Sequence, residues 1–213
     1  MNNRSKGRPS VNKEFDFEKV SDIAATFFAN NGYEGTKLNA IAKEAGYAKS
    51  IMNYHFKGGK EELWKKVVTR LALKLHQRFN DIESYFKDLE GLQLMKAFNR
   101  QFIYFSAENP TFYKLVFHEM GAPSDRSKWL LEEILQPIHQ SIEDQFYHSP
   151  KGKEILTNIS PAHFFSLIIG AANVFFIHAY QIKNQYNINP FDKEAIEQYA
   201  DFVNHTLFAR FEQ

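Results

Sequence analysis

The sequence contains no cysteine among its 213 residues. This absence excludes a disulfide framework, thiolate zinc sites and a cysteine nucleophile, and it suits a reducing compartment. Glycine and proline are scarce, at 10 and 7 copies, which leaves little material for the many turns of a β-rich architecture. The first 15 residues lack the apolar core of a secretory signal, so we expect a cytoplasmic location.

Motifs of catalysis and nucleotide binding are missing as well. The sequence has neither a GxSxG elbow nor a GxGxxG fingerprint. His118 and Glu119 begin an HExxH-like run, but Ala122 stands where the second zinc ligand would be. Gly59 and Lys60 are followed by Glu instead of the Ser or Thr of a phosphate loop. We therefore predict that the chain is not an enzyme and needs neither metal nor cofactor.

Aromatic residues are abundant, with 21 Phe and 10 Tyr, and apolar residues recur at helical spacing along the chain. We find no segment with the period-2 alternation of a strand, so the predicted fold class is all-α. Residues 161–182 form the most apolar stretch. His and Asn residues interrupt it and it is barely long enough to span a membrane, so we interpret it as a buried helix and expect no membrane partner.

Charge is unevenly distributed along the chain. Residues 1–66 contain 12 Lys and Arg against 8 Asp and Glu, whereas residues 67–213 contain 14 against 17. A basic N-terminal third is expected if only that part meets a polyanion, although a solvated surface gives the same difference. Residues 1–14 are predicted to form a flexible basic arm, which either reaches into a DNA minor groove or serves as a solubilising tail.

Three helices are predicted after this arm. The first covers about residues 17–30, and the second is expected to be capped by Thr36 and ended by Gly46. The third runs from about Ala48 to His55, with an apolar side that includes Ile51. Two short helices joined at a glycine form either a helix-turn-helix that reads DNA or a three-helix core with a merely solvated polar face.

Residues 17–63 resemble the DNA-binding domain of TetR/AcrR-family transcriptional repressors. The family pattern consists of an I-x3-A-x3-F-x3-G-Y helix, a T-x-[VL]-x2-IA-x2-AG helix, an aromatic end to the recognition helix, and a following KEEL. The matching residues are Val20, Ala24, Phe28, Gly32, Tyr33, Thr36, Leu38, Ile41, Ala42, Ala45, Gly46, Tyr54, His55, Phe56 and Lys60 to Leu63.

The resemblance implies a helix-turn-helix domain at 15–62 and an all-helical ligand-binding and dimerisation domain at 63–213. By position, Lys49, Ser50, Ile51 and Asn53 would face base edges. Phosphate contacts would come from Lys37, Tyr54, His55 and Lys60. Two departures stand out: Ala48 replaces the usual hydroxyl cap, and Asn53 replaces the usual Tyr.

The body offers aromatic residues and a few polar side chains as candidates for an effector pocket. For any single position, an ordinary core aromatic or a satisfied histidine is the more frequent situation. The last two apolar helices have more apolar surface than one amphipathic stripe requires, as a homodimer interface would need. The candidate pocket residues are Phe102, Phe105, Phe117, His118, Asn173 and His178.

The predicted function is a ligand-responsive regulator, a repressor, that binds a pseudo-palindromic DNA operator as a homodimer and is released by a small-molecule effector. Two alternatives remain open from the sequence. One is a helical protein-interaction or small-molecule-binding protein without DNA binding. The other is a small enzyme that uses the aromatic pocket, which lacks an evident reacting group.

Overall fold

The protein is described by a computed structural model that covers residues 14–146 and 150–212. Every secondary-structure element in these two ranges is helical, which confirms the predicted all-α class. The predicted basic arm lies almost entirely outside the described residues, including its segment at 4–9. Its two alternatives therefore stay predictions.

Four helices make up the N-terminal part of the chain. The first is preceded by Asp16, whose carboxylate accepts a hydrogen bond from the Lys19 N–H and so caps the helix. The fourth is 27 residues long and begins in the KGGK segment. The helices are α1 (Phe17–Gly35), α2 (Leu38–Ala45), α3 (Lys49–His55) and α4 (Gly59–Tyr85).

The C-terminal part continues with shorter helices. A π-helical turn, Leu131–Leu135, joins α7 to α8, and a 3-10 turn, Ala209–Phe211, ends the described chain. The helices are α5 (Gly91–Glu108), α6 (Pro110–Met120), α7 (Asp125–Leu130), α8 (Gln136–Phe146), α9 (Pro150–Ile155), α10 (Pro161–Ile177), α11 (Ala179–Tyr186) and α12 (Lys193–Phe208).

The junction between α1 and α2 differs from its prediction. The helix bends at Gly32, where φ is +66°, and continues to Gly35. Thr36 does not cap α2. Its buried hydroxyl donates instead to the carbonyl oxygens of Phe27 and Gly32 at 3.1 and 2.7 Å. Thr36 therefore fastens the end of α1, and α2 begins after Lys37 without a side-chain cap.

One buried hydrophobic cluster extends from Val20 in α1 to Val203 in α12. The predicted domain boundary at residue 62 falls inside α4, and this cluster continues across it. Arg70 of α4 also bonds to Ser21 and Asp22 of α1. The N-terminal helices are therefore packed firmly onto α4, which carries them on the body.

The apolar stretch at 161–182 is two helices and not one. The chain breaks at His178, and α10 meets α11 at a bend of 64°. No single helix in the described ranges is long and apolar enough to cross a membrane. Within these ranges, only the bent pair of α10 and α11 has the required length and composition when the two helices are taken together.

Candidate nucleic-acid interface and ligand cavity

The turn between α2 and α3 has the geometry of a helix-turn-helix. Gly46 takes a left-handed conformation, with φ +77° and ψ 29°, and its N–H bonds back to the carbonyls of Ala42 and Lys43. The Tyr47 N–H also reaches the Ala42 carbonyl at 2.9 Å, as in a Schellman C-cap. Glycine ends α2 as predicted because it adopts this conformation without strain.

Helix α3 is held to the core by a single fully buried side chain of its own, Met52. Ala48 precedes it without a side-chain cap, as the sequence predicted. Six of the eight predicted DNA contacts are exposed to solvent, five of them on α3 and one directly before α2. They are Lys37, Lys49, Ser50, Ile51, Asn53 and Tyr54.

Ile51 was expected both on the buried side of α3 and among the residues facing bases. Its side chain is 40% exposed, so the expectation of burial was wrong. An exposed apolar residue on a DNA-facing helix can contact the methyl group of thymine. Its position is therefore compatible with base contact.

The other two predicted contacts, His55 and Lys60, are half-buried and engaged inside the protein. The His55 ring stacks on Phe15 at a centroid distance of 3.7 Å. The Lys60 ammonium donates to the Tyr33 carbonyl at 2.8 Å and lies 4.1 Å from the centre of the Tyr33 ring. Both residues hold the N-terminal helices together, and a phosphate would have to compete for them.

Sequence reasoning missed two exposed lysines beside this surface. Lys43 lies in the last turn of α2, and Lys57 follows α3 directly. Both could have been found from the charge pattern, since each flanks the turn or the helix predicted to meet DNA.

The KGGK break beside Lys57 is closed by Glu62, whose carboxylate accepts the Gly58 N–H at 2.8 Å. The hydrogen bond with Lys66, and then this bond to Gly58, lower the pKa of Glu62.

Residues 21–67 match the sequence profile of a family described as "Bacterial regulatory proteins, tetR family". This segment is therefore a TetR-family DNA-binding domain. It is 38% identical over 87 residues to the HTH-type transcriptional regulator LmrA of Bacillus subtilis, an alignment that covers 40% of this chain and 46% of LmrA. It is 39% identical over 51 residues to the negative transcriptional regulator IcaR of Staphylococcus epidermidis, covering 24% and 27%. These curated relatives are matched over less than half of their own length.

Solved structures extend the likeness to the whole fold. AibR, determined with isovaleryl coenzyme A and operator DNA, superposes with a TM-score of 0.67 at 16% identity, over 89% of this chain and 96% of its own. SCO3833 of Streptomyces coelicolor, described as a TetR regulator, gives 0.65 at 16% identity over 96% and 94%. At such identities the likeness establishes the shared fold.

The C-terminal helical body encloses a cavity among α4, α5, α6, α8, α10 and α12. About 40 Å³ of it is open to water-sized molecules. This is room for a few atoms, whereas sites for drug-sized ligands measure roughly 300–1,000 Å³. Its lining residues are Phe79, Met95, Phe98, Asn99, Phe102, Tyr113, Ile138, His139, Ile142, Phe146, Phe164, Phe165, Ile168, Ile169 and Phe208.

The structure does not bring the six predicted pocket residues together. Phe102 lines the cavity, whereas Phe105 is buried elsewhere in the core. Asn173 is also buried, and its amide donates to the Ile169 carbonyl at 2.9 Å. Two others belong to α6 and face solvent: Phe117, which is 44% exposed, and His118.

His178, the last of the six, lies at the break between α10 and α11. Its ring faces the Gln181 amide oxygen at 3.3 Å, in an exposed position. The cavity residues that sequence reasoning missed, chiefly Asn99 and His139, are one Asn in the middle of a helix and one of eight His. No local pattern marks either of them.

A joint of charged and aromatic groups connects the DNA-binding helices to the body. Arg126 of α7 lies 3.7 Å from the centre of the Tyr33 ring, on which Lys60 also packs. The Arg126 Nε is 3.1 Å from the buried Glu119 carboxylate of α6. The two groups form an ion pair, but their angles do not meet the criteria for a hydrogen bond. Glu119 also accepts from the Ser124 hydroxyl at 2.8 Å. Burial raises the pKa of Tyr33, and Arg126 opposes this change.

Proposed function

We propose that this TetR-family chain is a transcriptional repressor that binds a pseudo-palindromic operator as a homodimer and is released by a small-molecule effector. The observation that carries the proposal is the exposed polar surface of α3, placed by the Gly46 turn within a segment that matches the family profile. A helix presented in this way fits the major groove of B-form DNA.

In this proposal Lys49, Ser50, Ile51 and Asn53 meet base edges. The exposed Lys37 and Tyr54 contact phosphates, together with Lys43 and Lys57. His55 and Lys60 act differently: each orients a neighbouring aromatic ring, Phe15 and Tyr33. Losing either would weaken DNA binding by loosening the domain.

DNA binding is tested by fluorescence anisotropy with the full chain, genomic DNA flanking its gene and random duplex of equal length. We expect salt-dependent binding to both, and tighter binding to the flanking DNA. Lys49→Ala should weaken binding, whereas Lys193→Ala, a control at the start of α12 in the body, should not. Absence of salt-dependent binding to any duplex would favour the alternative of a helical binding protein without DNA.

Exposed apolar side chains on α10 and α12 support the dimer. Leu167 and Val174 are seven residues apart on one face of α10 and are 57% and 47% exposed. Phe202 of α12 is 65% exposed and lies three residues from Tyr199, whose hydroxyl bonds to the Ala171 carbonyl of α10. The two helices thus present neighbouring apolar side chains that a second copy would cover.

Sedimentation equilibrium tests this assembly. We expect a dimer for the wild-type chain and a monomer for Val174→Glu/Phe202→Glu, because two charges would be buried at the centre of the interface. Leu73→Glu, an equally exposed apolar residue on α4, is the matched control and should stay dimeric. A double variant that sediments as wild type would contradict this interface.

The placement of α6 supports the proposed effector response. This helix carries Tyr113 in the cavity wall and Glu119 in the joint with Arg126 and Tyr33. A ligand larger than the present space must move the cavity walls, and a shift of α6 reaches the DNA-binding helices through this joint. We expect the bound form to favour a dimer whose two α3 helices depart from the spacing of about 34–36 Å between successive major grooves.

A further inference from the structure

The Asn99 side chain in the cavity wall is only 2% exposed, and its amide orientation is fixed by a chain of hydrogen bonds. The Asn204 amide nitrogen donates to the Lys96 carbonyl at 3.1 Å. Its oxygen therefore faces Asn99, whose amide nitrogen donates to it at 2.7 Å. This arrangement leaves the Asn99 Oδ1 as an acceptor, and that atom has no hydrogen-bond partner in the described part of the chain.

An acceptor buried without a partner is costly. Leaving such a group unsatisfied costs about 1–3 kcal/mol, and most buried polar groups in native proteins are paired. Asn99 lines the cavity, so a molecule inside it can reach this side chain. The structure thus holds a donor-seeking oxygen in a wall whose other polar side chains are Tyr113 and His139.

The remaining cavity wall is made of aromatic and aliphatic side chains and carries no formal charge. Among the lining residues that the structure describes, none is Lys, Arg, Asp or Glu. Burial raises the pKa of the Tyr113 hydroxyl, which therefore stays protonated. Burial also lowers the pKa of His139, opposed by the Glu143 carboxylate, so its imidazole stays neutral at pH 7. A carboxylate or phosphate buried here would find no cation to pair with.

We propose that the cavity binds an uncharged, planar aromatic molecule bearing one hydroxyl or N–H group, which donates a hydrogen bond to the Asn99 carboxamide oxygen. The flat rings of the wall, such as Phe98, Phe102 and Phe165, would pack against the faces and edges of the ligand ring. The proposal rests on the proposed effector response only for its biological use. Binding itself depends on the cavity, whose walls must move apart because the present space holds only a few atoms.

Three probes of matched size test the ligand class with the full chain. They are 2-naphthol, which is neutral and carries a donor, naphthalene, which lacks the donor, and 2-naphthoate, which is an anion at pH 7. Equilibrium titration should show 2-naphthol binding about tenfold more tightly than naphthalene, since one hydrogen bond to an otherwise unpaired acceptor is at stake. The anion should bind much more weakly than either.

Variants assign the preference to Asn99. In Asn99→Leu the preference for 2-naphthol over naphthalene should fall to less than about twofold, while naphthalene still binds. Because this change leaves the Asn204 oxygen unpaired, the double variant Asn99→Leu/Asn204→Leu provides the same test if the single variant does not fold. Asn173→Leu is the matched control: it removes another buried Asn, one that does not line the cavity, and should keep the tenfold preference.

Two results would overturn the proposal. One is equal binding of 2-naphthol and naphthalene by the wild-type chain, which would mean that only water uses the Asn99 oxygen. The other is binding of 2-naphthoate as tight as that of 2-naphthol. An Asn99-dependent preference without any change in operator affinity would support the ligand class and contradict the effector response. The two failures are therefore distinguishable.

Discussion

Phe28 in α1 and Phe102 in α5 are both buried, but their surroundings differ. Phe28 is fully buried in the closely packed core of the DNA-binding helices and stacks on Tyr33. Phe102 packs on Tyr113 on one side and faces a cavity on another. In the proposed function, the first region presents a fixed shape to DNA. The second leaves space that a ligand can occupy and enlarge.

The largest expected difference between the regions is in the effect of core truncation. Phe28→Ala removes a ring surrounded by packed atoms and should lower the free energy of unfolding by about 3–5 kcal/mol. Phe102→Ala should cost less, because part of the ring contacts empty space. Urea unfolding of both variants measures the difference. Equal losses would mean that the cavity is filled by other side chains in solution.

The packing of the DNA-binding helices could be predicted closely from the sequence. The residues that match the family pattern, such as Ala24, Ile41 and Ala45, are fully buried in the structure. They are short-range helical contacts whose spacing is visible in the chain itself. The main errors were at Thr36, whose hydroxyl bonds back to α1 instead of capping α2, and at Ile51, which is exposed instead of buried.

The second prediction concerns the joint between the regions. Arg126→Met leaves the Glu119 carboxylate, which is 8% exposed, without its cation. Because Arg126 itself is 21% exposed, the loss should be about 2 kcal/mol, below that of a fully buried pair. Urea unfolding measures it, and Arg126→Met/Glu119→Gln should recover most of it. A single variant as stable as the wild type would show that the ion pair is not needed to hold α7 on α6.

Two predicted DNA contacts have other partners inside the protein. Lys60 and His55 occupy positions that resemble family contacts, and their side chains are of the right chemical type. Whether a cation is free depends on what folds against it, and the Tyr33 carbonyl lies 27 residues away from Lys60 in the chain. Such long-range partners cannot be read from spacing.

The third prediction separates the contacts within the DNA-binding surface. Asn53→Ala should change the relative affinity for operators altered at one base pair by about 1–3 kcal/mol, since an amide can bond to a base edge in two places. Lys37→Ala should weaken binding to all sequences alike and reduce the slope of log affinity against log salt by about 0.9. Anisotropy titrations over a series of salt concentrations measure both. If Asn53→Ala weakened binding to all sequences equally, the Asn53 side chain would be a phosphate contact and not a base contact.

The cavity was the least predictable part of the molecule. Its walls come from six helices spread between residues 79 and 208, so no window of the sequence contains it. Aromatic residues that enclose it and aromatic residues that fill the core look the same in a sequence, as Phe102 and Phe105 show. What distinguishes the cavity is an unpaired oxygen and a neutral histidine, and both depend on tertiary contacts.

The smallest expected effect is a dependence of the body's stability on pH. Burial lowers the pKa of His139 in the folded chain, whereas an unfolded His has a pKa of about 6.5. The unfolded chain then binds a proton first as the pH falls, so the free energy of unfolding should decrease below pH 6.5, by at most about 1.4 kcal/mol per pH unit. Urea unfolding at pH 7.5, 6.5 and 5.5 measures this slope.

His139→Phe keeps a ring against Phe165 and should flatten the slope of unfolding free energy against pH, whereas the same change at the exposed His163 should not. An unchanged slope in His139→Phe would place the acid sensitivity elsewhere and remove this distinction between the two regions.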